Sequence, residues 1–94
     1  MTIKERIEIM KSARIKADEF DKKVTEVANT LKAKGLEYKN SDHDKGIQLM
    51  DMSIKAITDG FEIVSAYNLI GCDKDMSFEK VDKMAEEFLA KYAC

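Results

Sequence analysis

The sequence predicts an all-α fold, a long antiparallel helical hairpin followed by a shorter third helix in a three-helix, coiled-coil-like bundle. Three observations predict it: apolar residues recur at 3-4 spacing in three separate ladders, no proline interrupts them, and glycines and capping residues stand where the ladders stop. The first ladder runs Met10, Ala13, Ala17, Phe20, Val24, Val27, Leu31, and the second Ile47, Met50, Ile54, Ile57, Phe61, Val64. The third is Phe78, Val81, Ala85, Phe88, Tyr92. This spacing holds side chains on one helical face, so each ladder is expected to be a seam buried against another helix.

Helix one is expected over 3–34. Thr2 and Glu5 form a capping-box pattern at its start, and Gly35 is suited to the left-handed conformation that closes a helix. A turn through Lys39, Asn40 and Ser41 leads to helix two over 42–70, capped by Ser41 with Asp44 or by Asp42 alone. Gly71 ends it. Ser77 is the next N-cap, with Met76 and Val81 spaced as a hydrophobic staple, and helix three covers 78–92. Gly60 costs about 1 kcal/mol relative to Ala inside a helix. The second ladder nevertheless keeps its phase from Ile57 to Phe61, which predicts a continuous helix with Gly60 at a close helix approach or a slight bend.

At 94 residues the chain has room for one helical domain, 1–94, with a modest core, near the size where oligomerisation commonly adds burial. Residues 1–34 carry nine Lys/Arg against six acids, and residues 35–94 carry seven against twelve. In an antiparallel hairpin these halves attract, so the opposition reads as internal complementarity and argues against a nucleic-acid face. No apolar run approaches the roughly 20 residues of a membrane span. The expected setting is cytoplasmic, with Cys72 and Cys94 reduced. A helix of about 16 residues between them holds the two thiols roughly 24 Å apart, beyond disulfide reach.

Reactive chemistry finds little support. Asn40, Asp42 and Asp44 imitate the first ligands of a calcium loop, but Lys45 stands where that loop requires Gly and Asp51 where it requires Glu. Asp73, Asp75 and Ser77 fail similarly, with Met84 in the last position. His43, the one histidine, falls in a first helical turn between two aspartates, where a solvated side chain is expected rather than a general base. No Glu-x-x-His pair, Cys-x-x-Cys or Gly-rich phosphate loop occurs, so neither enzyme, cofactor nor metal site is expected. In size and long-hairpin layout the chain resembles the WXG100 helical-hairpin proteins. Their Trp-x-Gly bend has no counterpart in a chain without Trp, so the resemblance is one of architecture.

The function expected is therefore binding. The leading expectation is a protein-interaction module or stoichiometric inhibitor, of a kind mobile elements often encode, working on a protein partner or on itself as a homodimer. The alternatives are a nucleic-acid-associated regulator using the basic residues of helix one, and a structural self-assembling coiled coil. Helix two carries a second stripe, Leu49, Met52, Ala56, Ile63, Tyr67 and Ile70, away from its main ladder. Helix three, by its length, covers that stripe only to about Ala56. Leu49 and Met52 are thus expected to lie open beside Leu36 and Tyr38 of the turn, an apolar patch at one end of the bundle. Ile15, opposite its own ladder, is a second partner-binding candidate.

Overall fold

The computed structural model describes residues 1–93 and contains three helices: α1 (Ile3–Tyr38), α2 (His43–Leu69) and α3 (Phe78–Lys91). The molecule is a rod measuring 59 × 17 × 16 Å. The caps act where the sequence places them. The Thr2 hydroxyl accepts from the Glu5 amide at 3.1 Å, the Asp42 carboxylate from Lys45 at 3.2 Å, and the Ser77 hydroxyl from Lys80 at 3.2 Å. Each satisfies an amide that the first helical turn leaves without an intrahelical partner. Gly71, at φ +92°, makes the left-handed turn after α2.

Gly35 does not end α1. The helix continues to Tyr38, and Gly35 is buried within it. A Cβ at Gly35 would stand 3.0 Å from the Gly46 carbonyl and 2.7 Å from Met50 Cγ. This glycine permits two backbones to approach rather than releasing one from the helix. The connection to α2 is correspondingly tighter, with the Asp42 amide donating to the Tyr38 carbonyl at 2.8 Å.

The second ladder is not the seam. Ile47, Met50, Ile54, Ile57 and Phe61 are exposed, and α2 buries Gly46, Ser53, Ala56, Gly60, Ile63, Ala66 and Tyr67 instead. Gly46, Ser53 and Gly60 recur every seven residues and face α1, whose buried face is Ala13, Ala17, Phe20, Val24, Ala28, Leu31 and Gly35. The Ser53 hydroxyl donates to the Ala28 carbonyl at 2.7 Å. A Cβ at Gly60 would lie 2.5 Å from both Val24 methyls. Small residues bring the two helices close, which lets backbone and short side chains pack without a layer of large groups between them. The larger ladder lies about 70° round α2 from that line, so its near edge, Met50 and Val64, touches α1 or the core and the rest faces outward. The expected burial of Phe61 is thereby corrected, whereas the continuous helix through Gly60 and its close approach are as the sequence predicts.

α3 packs on the other flank of the hairpin. Val81, Ala85, Phe88 and Tyr92 are buried against the stripe running from Ala56 through Ile63 and Tyr67 to Ile70. Phe20, Tyr67, Phe88 and Tyr92 form its aromatic centre, with Phe20 and Phe88 edge-on at 5.4 Å between ring centroids. Asn68 continues the outward ladder and is exposed, lining a surface groove with Ile7, Met10 and Arg14. Asn68→Leu should therefore leave the melting temperature unchanged. A rise of several degrees in a thermal scan would show that Asn68 occupies a buried seam.

Candidate interaction surface

Along one flank of α2, from Ile47 to Phe61, large apolar side chains stand in water. Their exposure runs from 38% at Met50 to 69% at Phe61. Val64, half-buried, continues the row. At roughly 200 Å² for a fully exposed side chain of this size, the row presents on the order of 600 Å² of apolar surface, the upper end for a typical monomer. Leu36, 51% exposed, extends it at one end, where it shares a cleft with Gly35, Ile47 and Met50. At the other end lie Ile7 and Met10, exposed on α1, with Met10 packed beside Gly71.

The residues predicted to bind a partner divide between two faces. Tyr38, Leu49 and Met52 come together, lining a cleft with Leu31, Lys45 and Ala93. Leu49 packs partly on the core, and Tyr38 lies under the Lys45 ammonium at 4.3 Å from the ring centroid. α3 itself ends beside Asp59, which Lys91 and Tyr92 contact, as its length predicts, and the chain after it reaches this cleft through Ala93. Leu36 projects elsewhere: α1 remains helical through Tyr38, and two residues at 100° each set Leu36 and Tyr38 on opposing sides. Ile15 is exposed on α1 and lines none of these clefts. Sequence reasoning assigned Ile47, Ile54, Ile57 and Phe61 to the core. The signal pointing the other way was the heptad of small residues Gly46, Ser53 and Gly60.

Two polar clusters pin α3 to the hairpin. Tyr67 donates to Asp82 at 2.6 Å, and Lys16 pairs with the same carboxylate at 2.9 Å. Tyr92 likewise donates to Asp59, which Lys91 approaches at 3.2 Å. The Tyr67 hydrogen bond, then Lys16, hold the Asp82 carboxyl below its ordinary 3.8, and Tyr92, then Lys91, do the same for Asp59. Burial, then the facing carboxylates, push both tyrosines above their ordinary 10.0. The depressed carboxylates add stability that is present above 3.8 and lost as pH falls through their folded values. The raised tyrosines add stability that is present below 10.0 and lost as pH rises through theirs. α3 docking should thus be strongest between these limits, with tyrosine near-ultraviolet dichroism fading at both ends. Asp82→Asn should flatten the acid limb, and an unaltered acid limb would remove Asp82 from this role.

Basic residues of α1 also serve internally: Arg6 Nε donates to the Gly71 carbonyl at 2.8 Å, and Lys16 holds Asp82. His43 and Cys72 are exposed, and Cys72 is a free thiol. The expected separation of Cys72 and Cys94 involves a residue outside the described ones. Among the described residues no group of three or more His, Cys, Asp or Glu is placed to hold a metal ion. No helix among them is long and apolar enough to cross a membrane. Comparison with protein-family models, with curated proteins and with solved structures finds no match.

Proposed function

We propose that this protein acts without catalysis, as a helical module that binds protein through the outward apolar flank of α2. The observation supporting this reading is the unbroken row from Ile47 to Phe61, left exposed by a hairpin whose own packing is complete through small residues. Leaving such a row in water forgoes roughly 25 cal/mol for each Å² that a partner removes. It also invites aggregation unless something covers it. The Leu49, Met52 and Tyr38 cleft offers less exposed apolar side chain, Leu49 packing partly on the core, which makes it a secondary contact.

Photo-crosslinking in the cells that make the protein tests the reading. A benzophenone amino acid in place of Ile57 should give protein adducts of discrete mass. The same group in place of Ile15, on the far side of α1, should give few. Equal adduct yields at the two positions, or none at Ile57, would refute the assignment of this face.

A further inference from the structure

On the basis of that reading of α2, we propose that the occupant of the stripe is a second copy of this chain, docked antiparallel about a two-fold axis between residues 55 and 56. The spacing of the row is compatible with its own reversal. Ile47, Met50, Ile54, Ile57, Phe61 and Val64 alternate in steps of three and four, the a and d positions of a heptad. Antiparallel packing sets a against d. With the axis at 55 and 56, Ile47 meets Val64 of the second copy, Met50 meets Phe61, and Ile54 meets Ile57. Every layer is apolar, and no charged side chain enters the row.

The area fits the same occupant. Two copies would remove on the order of 1,200 Å² of apolar surface in total, above the roughly 1,000 Å² that separates biological interfaces from chance contacts. Most of the row is accessible as well. Gly46, Ser53 and Gly60 mark the direction of α1, about 70° round α2 from the centre of the stripe, and α3 lies further round still. Met50 and Val64 are partly covered within the protomer, and Ile47, Ile54, Ile57 and Phe61 stand open to the second α2. The two α1 helices then fall on one side of the α2 pair and close a four-helix arrangement, with each α3 outside.

The contacts of Val24 with Gly60 and of Gly35 with Gly46 fix which α1 residue stands level with each α2 residue. Carried through the two-fold, they set Asp21 level with Lys32 of the second copy, and Lys32 with its Asp21. These are opposite charges, on the side where the α1 helices face each other. Arg14 comes level with Lys39, and Asp18, one turn on from Arg14, offsets that like pair. Leu36 comes level with residues near Val64 of the second copy, which extends the apolar contact.

Light scattering on the eluting purified protein should give twice the chain mass. Ile54→Asp with Phe61→Asp should give the monomer mass with an unchanged far-ultraviolet dichroism spectrum, because both side chains are exposed in the protomer. Orientation is read from cysteines placed in a Cys72→Ser, Cys94→Ser background. Mixed Ile47→Cys and Val64→Cys chains should link through a short bifunctional thiol reagent, and Ile47→Cys chains alone should not, their thiols lying roughly 25 Å apart. Linking of Ile47→Cys chains to each other would overturn the antiparallel register. A monomeric wild type whose Ile57 adducts are all to another protein would overturn self-pairing and leave the protein-binding reading standing. A monomeric wild type with no Ile57 adducts would remove both.

Discussion

Phe20→Ala should lower the unfolding free energy by about 3–5 kcal/mol, whereas Phe61→Ala should change it by no more than about 1 kcal/mol when both are measured on the dissociated chain. Both residues sit on apolar ladders and look alike in the sequence. Phe20 is buried among Tyr67, Phe88 and the α1 seam, so its truncation leaves a cavity bounded by rings that cannot collapse into it. Phe61 is 69% exposed and loses little by shortening. Denaturant melts of Ile54→Asp backgrounds, which keep the chains apart, separate this intrinsic effect from any effect on association. Equal losses for the two phenylalanines would mean that both ladders are buried.

Gly60→Val should cost about 2–3 kcal/mol, despite valine's better helix propensity, because the new side chain enters space held by Val24. A Cβ alone would already lie 2.5 Å from two of its methyl carbons. Val24 is β-branched and cannot rotate out of the way within a helix, so α1 and α2 must separate. Val24→Ala removes the obstruction. The double variant should therefore be more stable than the sum of the single losses implies, a positive coupling readable from a double-mutant cycle. Strict additivity would place Gly60 away from Val24.

The helices, their caps and the order of the bundle were legible in the sequence because each depends on local chemistry. Thr2, Asp42 and Ser77 cap by hydrogen bonds to amides three residues on, and Gly71 turns by its own φ. The rotation of α2 was not legible by the same means. Apolar periodicity marks a face that avoids water, and it does not say whether the chain itself or another molecule supplies the cover. The strongest row, Ile47 to Val64, therefore reads as the hairpin seam, and of the small residues Gly46, Ser53 and Gly60 only Gly60 reads as a point of close helix approach. Gly35 misled for the same reason. A glycine that permits close approach and one that ends a helix are the same letter, and only the backbone opposite, the Gly46 carbonyl, distinguishes them. The binding face inherits this ambiguity: the length of α3 points to Leu49 and Met52, of which Met52 is exposed, while the more exposed row beside them reads as core.

The rotation of α2 about its own axis is the claim on which the binding surface depends, and nuclear Overhauser contacts from the Val24 methyls test it most directly. Strong cross-peaks should join those methyls to the α-protons of Gly60, with none to the Phe61 ring or the Ile57 methyls. Cross-peaks from Val24 to Phe61 and Ile57, with the Gly60 α-protons facing solvent, would put the large apolar row back in the hairpin seam and leave the protein without the proposed surface.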